Sequence, residues 1–72
     1  METLNFKTTV RTPDAVAAIS LGLNSIEQID GWNLDLETPD RLLTVQTTDN
    51  RIADLVRQAV EKAGYQAEWI AP

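Results

Sequence analysis

The 72-residue sequence contains neither cysteine nor histidine. The absence of cysteine excludes disulfide bonds and thiolate chemistry. The absence of histidine removes the usual proton carrier near neutral pH and the commonest transition-metal ligand. General acid–base catalysis would have to rest on isolated carboxylates, which have no partner to tune them. We therefore expect a protein that is not an enzyme.

Basic residues are also scarce, with six Lys and Arg against eleven Asp and Glu and a net charge of −5. Phosphate contacts require clustered basic residues, so the composition argues against a nucleic-acid partner. No run approaches the roughly 20 apolar residues that cross a bilayer. The start, METLNFK, lacks the apolar core of a signal peptide. We expect a cytoplasmic protein without membrane insertion.

A chain of 72 residues predicts one domain, spanning residues 1–72. In its first half, apolar residues recur at every second position, as in a strand, and then at the spacing of a helix. Thr12 is predicted as the helix N-cap, with Pro13 at the first helical position and Asp14 in the first turn. Gly22 would allow this helix to pack closely on a sheet, a point that the sequence leaves open. The inward positions are Leu4, Phe6, Thr8 and Val10 in the strand, and Val16, Ile19, Leu23 and Ile26 in the helix.

The second half predicts a hairpin, a helix and a last strand. Thr38-Pro39-Asp40 supplies the hairpin turn, and Gly64 suits a left-handed helix end. The segment QAEWI closes the chain as a short strand. The predicted inward positions are Trp32, Leu34, Leu36, Leu43, Val45 and Thr47 in the hairpin, and Ile52, Leu55, Val56, Ala59, Val60 and Ala63 in the second helix.

The element order βαββαβ predicts an α+β, ferredoxin-like sandwich. In this fold, a four-stranded antiparallel sheet carries two helices on one face. Such a fold does not define a function, which has to be argued from the site.

Three stretches resemble one known family: LNFKTTVRTPDAVAAI, GWNLDLETPDRLLTV and VRQAVEKAGYQAE. Together they are similar to the heavy-metal-associated domains of copper chaperones and metal-transporting ATPases, over about residues 3–69. The family's metal loop reads Met-x-Cys-x-x-Cys. Matching it to this sequence places Val10 at the methionine, Thr12 at the first cysteine and Ala15 at the second. The resemblance implies the family fold without its two thiolates.

This combination predicts a non-catalytic interaction module without a cofactor, which docks on a related heavy-metal-associated domain or a metal transporter. Leu21 is expected to be exposed, and together with an exposed Trp69 or Ile70 it would form an apolar patch. Tyr65 is expected to cover the loop by packing against it. The predicted interaction surface consists of Arg11, Thr12, Pro13, Asp14, Leu21, Tyr65 and Trp69.

Two other functions remain open from the sequence. The chain could carry a metal ion through oxygen ligands or through a site shared with a partner. Alternatively, it could be a structural or dimerisation domain that pairs through edge strands, and the oligomeric state is left open. Asp35, Glu37 and Asp40 lack the loop that a calcium site requires. We interpret them as solvated charges, paired with Arg41.

Overall fold

The computed structural model describes residues 2–70, which form four strands and two helices. The predicted element order is confirmed. The elements are β1 (Glu2–Thr8), α1 (Pro13–Asn24), β2 (Ile29–Leu34), β3 (Leu43–Thr47), a 3-10 turn (Asn50–Ile52), α2 (Ala53–Lys62) and β4 (Ala67–Ile70).

The strands form one antiparallel sheet in the order β2-β3-β1-β4. Each helix crosses over a central strand, from β1 to β2 and from β3 to β4, which is the predicted ferredoxin-like arrangement. Alternate strand residues are buried with residues of both helices in one cluster, so both helices cover the same face.

The core is formed by the alternating residues of β1 and β3 and by one stripe of each helix. Burial of each large apolar side chain contributes about 1.5–3 kcal/mol. Leu55, predicted in the α2 stripe, is instead 45% exposed, because Ile52, Val56 and Val60 already fill the side that faces the sheet. The buried apolar residues include Leu4, Phe6, Val10, Ala15, Ile19, Leu23, Leu43, Val45, Ile52, Val56 and Val60.

The two helices approach each other at Gly22 of α1 and Ala59 of α2. A Cβ built on Gly22 would lie 3.1 Å from the Cβ of Ala59. The close contact of Gly22 is therefore with the second helix, which answers the question that the sequence left open. A Cβ at position 22 would require Ala59 to give by a few tenths of an ångström.

Strand β2 is irregular at one edge of the sheet. The partner of Ile29 is Thr47 and that of Gly31 is Gln46, so Asp30 forms a bulge. Trp32 is half-buried, and its Nε1 donates to Asn24 Oδ1 at 3.0 Å. Leu36, predicted on this strand, lies beyond its end at Leu34.

Among residues 2–70, no helix has the length and apolar character needed to cross a membrane. The cytoplasmic location and the extent of the domain over residues 1–72 stay predictions from the sequence.

Candidate site at the β1–α1 loop

The loop between β1 and α1 is joined to the β2–β3 hairpin by two hydrogen bonds. The backbone N–H of Thr8 donates to the carbonyl of Asp40 at 3.1 Å. The Thr8 hydroxyl, which is nearly buried, donates to the carbonyl of Arg41 at 2.6 Å. These bonds fix the end of β1 at the point where the loop begins.

A second pair of bonds joins the same loop to the connection between α2 and β4. The Thr9 N–H donates to the Gln66 carbonyl at 3.1 Å, and the Gln66 N–H donates to Thr9 Oγ1 at 3.0 Å. Tyr65, next to Gln66, is half-buried and packs against the core. Gly64 ends α2 with a φ of 95°, so the predicted left-handed helix end is confirmed.

Thr12 begins α1 as its N-cap, as predicted. Its backbone is extended, and its Oγ1 accepts a hydrogen bond from the Ala15 N–H at 3.1 Å. Pro13 occupies the first turn, where its missing N–H costs nothing. Asp14 lies in the same turn, where its charge is favourable near the positive end of the helix dipole.

The three positions matched to the metal loop differ in exposure. Val10 and Ala15 are buried, whereas Thr12 is exposed. Their side chains offer one hydroxyl oxygen, an isopropyl group and a methyl group. Over residues 2–70, no group of three or more Asp or Glu side chains is placed to hold a metal ion. The loop presents Arg11, Pro13 and Asp14 to solvent.

The other predicted surface residues lie on separate elements. Leu21 is 79% exposed on α1, and Trp69 is 46% exposed on β4, where it pairs with Phe6 of β1. The exposure of Leu21 confirms the sequence expectation. Leu55 is also a large apolar residue that is exposed, although the sequence predicted it in the core. The apolar stripe predicted for α2 has six residues, which is more than one buried helix face holds. This width was the signal that one of them, Leu55, would be exposed.

The hairpin carboxylates are not paired with Arg41, so the predicted pairing is wrong, whereas Glu37 and Asp40 are exposed as expected for solvated charges. The Arg41 Nη1 donates to the carbonyls of Leu36 and Thr38, each at 2.7 Å. Asp35 Oδ1 instead accepts from the Glu37 N–H at 2.9 Å. Arg41 has a φ of 49°, which is uncommon for a residue with a side chain.

The carboxyl of Asp49 has a shifted pKa. It lies at the opposite end of the molecule, where β1 begins. Hydrogen bonds from the Arg51 side chain and then from its backbone N–H hold the pKa of Asp49 below its usual value. The same ion pair raises the pKa of Arg51. Asp49 is the N-cap of the 3-10 turn, so a structural role explains this shift.

Neither a family model nor a curated protein sequence matches the chain. Solved structures do match. The N-terminal domain of PacS from Synechocystis PCC6803 has a TM-score of 0.81 and 17% identity, over 99% of this chain and 100% of that one. The yeast copper transporter domain Ccc2a, solved in apo and Cu(I)-loaded states, has a TM-score of 0.83 and 12% identity, over 99% and 97%.

The Cu(I)-loaded first domain of the human copper chaperone for SOD1 has a TM-score of 0.73 and 25% identity, over 93% of this chain and 89% of that one. These structures are heavy-metal-associated domains of copper chaperones and transporters. The fold of this chain is therefore the heavy-metal-associated fold, as the resemblance implied, in a sequence without cysteine.

Proposed function

We propose that the chain is a non-catalytic interaction module of the heavy-metal-associated type. Its β1–α1 loop holds no thiolate-bound metal, and it docks on a related domain or on a metal transporter. The observation that carries the proposal is Thr12, whose hydroxyl caps α1 at a position matched to a cysteine. A side-chain hydrogen bond thus organises the loop without a metal ion.

The donor chemistry supports the absence of a soft-metal site. Cu(I) selects thiolate and thioether ligands, and Zn(II) prefers thiolate or imidazole. A single hydroxyl at Thr12, already accepting from the Ala15 N–H, satisfies neither preference. The carbon side chains of Val10 and Ala15 supply no further ligand.

The rigidity of the loop supports docking. Four hydrogen bonds from Thr8, Thr9 and Gln66 join it to two other loops, so little conformational freedom is left to lose on binding. Arg11, Pro13 and Asp14 stand exposed on this fixed framework. The structural likeness to a CopZ metallochaperone and to a domain of the P-type ATPase HMA7 supports partners of that kind.

Backbone amide NMR of the labelled chain tests both parts of the proposal. Under reducing conditions, Cu(I), Zn(II) and Ca(II) are each added alone. We expect no change at residues 10–16. Saturable shifts confined to this loop would mean that oxygen ligands bind metal, and the metal carrier would replace our proposal.

Unlabelled CopZ-type metallochaperone and the N-terminal PacS domain then serve as docking probes. We expect saturable shifts at residues 10–16 and at Tyr65. Arg11→Glu should weaken this binding, while Arg57→Glu makes the same charge change on α2 and should not. An unchanged spectrum with both probes, in the presence and in the absence of Cu(I), would overturn the docking function.

A further inference from the structure

Two threonines interrupt the apolar core. Among the described residues, Thr8 and Thr47 are the buried residues with polar side chains. Thr8 ends β1 and Thr47 ends β3, the two central strands of the sheet. Each is followed by a second threonine and by a loop that leads to a helical segment. Because a buried hydroxyl is costly unless it is hydrogen-bonded, the partners of both side chains matter for the structure.

The Thr8 hydroxyl lies between the β2–β3 hairpin and the β1–α1 loop. It donates to the Arg41 carbonyl at 2.6 Å and accepts from the Val10 N–H at 3.4 Å. A hydroxyl can do both, because it carries one donor and two acceptor positions. Val10 is fully buried, so this acceptor serves an N–H that has no access to water. One oxygen atom thus connects the hairpin to the backbone of the loop.

The hairpin presents two successive carbonyls to Thr8. The Asp40 carbonyl accepts from the Thr8 N–H at 3.1 Å, and the Arg41 carbonyl accepts from its hydroxyl. Successive carbonyls of an extended strand point to opposite sides, so an extended backbone would not direct both to one residue. The left-handed backbone at Arg41, with a φ of 49°, allows both to face Thr8. The shape of this turn therefore fixes the position of the Thr8 hydroxyl.

We infer, on the basis of the docking function proposed for this loop, that Thr8 is its positioning residue. The exposed Arg11 lies between two fixed points, the Val10 N–H bonded to Thr8 and the Thr12 hydroxyl bonded to the Ala15 N–H. The backbone at Arg11 is therefore set before a partner arrives, and less freedom is lost on binding. Thr8 itself is nearly buried, so it acts on docking through Val10 and Arg11.

Thr47 provides a matched control at the other end of β1, where it pairs with Glu2. Its hydroxyl donates to the Gln28 carbonyl at 2.7 Å and accepts from the Asp49 N–H at 3.0 Å. As at Thr8, one oxygen atom joins a distant segment to the amide two residues further along its own loop. Removal of either hydroxyl should cost a similar amount of stability, but only Thr8 is bonded to the β1–α1 loop.

Amide hydrogen exchange of the free chain, followed by NMR, tests the positioning of the loop. Thr8→Val and Thr47→Val keep the shape of the side chain and remove its hydroxyl. Thr8→Val should speed exchange at Val10 about tenfold relative to the core amides of β3, because the Val10 N–H loses its acceptor. Thr47→Val should change this ratio by less than about twofold, because its hydroxyl serves another loop.

Docking is then measured on the same variants, with the CopZ-type metallochaperone and the N-terminal PacS domain as probes. Thr8→Val should weaken binding about tenfold, because the loop has to be ordered as the partner binds. Thr8→Ser keeps the hydroxyl and should bind within about twofold of the unmodified chain. Thr47→Val should bind as the unmodified chain does. The serine variant and the Thr47 control separate positioning of the loop from a general loss of stability.

A measurement on the unmodified chain applies even where Thr8→Val does not fold. The hydroxyl proton of Thr8 should exchange slowly with water and show an NMR contact with the Val10 amide proton. The exposed Thr48 is the reference within the same chain. A Thr8 hydroxyl proton that exchanges as fast as that of Thr48 would overturn the inference, because no bond would then hold it.

Two results in the variants would also overturn the inference. Exchange at Val10 could keep its ratio to the core amides in Thr8→Val. Docking could be weakened equally by Thr8→Val and Thr47→Val, so that stability alone would explain the loss. Failure of the docking function gives a different result. The unmodified chain then binds neither probe, while exchange at Val10 still decides whether Thr8 holds the loop.

Discussion

The tripeptide Thr-Pro-Asp occurs twice, at residues 12–14 and 38–40, and both copies lie at the end of the molecule where β1 ends. The first copy begins a helix. Thr12 caps α1 and accepts one bond, from the N–H three residues later. The second copy forms part of a tight hairpin turn.

In the hairpin, Thr38 is bonded on both sides. Its hydroxyl donates to the Asp35 carbonyl at 3.2 Å and accepts from the Leu42 N–H at 3.1 Å. Its carbonyl accepts from the N–H and the Nη1 of Arg41. The residues that follow each tripeptide decide whether it begins a helix or forms part of a turn. The first tripeptide precedes a helical period and the second precedes the alternating β3, so the same three residues take two conformations.

The largest expected difference concerns metal binding after cysteine substitution. Thr12→Cys with Ala15→Cys should bind one Cu(I) per chain and compete with a chromogenic Cu(I) chelator. Thr12 is the N-cap and Ala15 lies in the first turn of α1, where the helix N-terminus lowers a thiol pKa and favours the thiolate that Cu(I) requires.

The matched control is Thr38→Cys with Arg41→Cys, which has the same spacing after the same tripeptide. It should not compete with the chelator, because no helix begins there and residue 41 has a φ of 49°. Equal Cu(I) affinity in the two double variants would show that spacing alone makes the site and that the helix start is irrelevant.

A smaller effect, on stability, is expected at Arg41. The residue at the same place after the first tripeptide is Ala15, which has no side-chain donor. Arg41→Ala should lower the free energy of unfolding by about 2 kcal/mol, because the carbonyls of Leu36 and Thr38 lose a charged donor. Arg41→Gly should cost about 1 kcal/mol less than Arg41→Ala, because glycine adopts positive φ without strain. Urea unfolding measures both variants. Equal losses would mean that the backbone at position 41 is unstrained.

The smallest effects are expected at the two threonines. Thr38→Ala should cost about 1.5 kcal/mol, since it removes a donor and an acceptor from a half-buried turn. Thr12→Ala should cost about 1 kcal/mol, the usual loss for an N-cap. Serine at either position keeps the hydroxyl and should restore most of the stability. A larger loss at Thr12 than at Thr38 in urea unfolding would reverse our ranking of the two turns.

Much of the fold could be predicted because its signals are local. The alternation in β1 and β3, the cap at Thr12 and the glycine at position 64 each depend on a few neighbouring residues. The loop matched to the metal site was found by resemblance, and the structure places it at the predicted helix start. Its role in docking stays a proposal.

The features that the sequence did not reveal depend on residues far apart in the chain. Gly22 meets Ala59 only after both helices have packed on the sheet, and the same packing leaves Leu55 exposed. Arginine rarely adopts a positive φ, so the sequence gives no indication of the positive φ at Arg41. Its Nη1 donates to two carbonyl groups and not to a carboxylate, a competition that charge patterns alone do not reveal.

The bonds between Thr9 and Gln66 join positions 57 residues apart. Contacts of such long sequence separation form late, because the intervening chain has to be ordered before its ends can meet. The helix start at Thr12 needs only its own neighbours, whereas the framework around it requires residues from distant parts of the chain. Because Thr9 and Gln66 are exposed and lie outside the strands and helices, their amide hydrogens should exchange with solvent through local opening, and their exchange rates would report the stability of this loop framework and not that of the whole molecule.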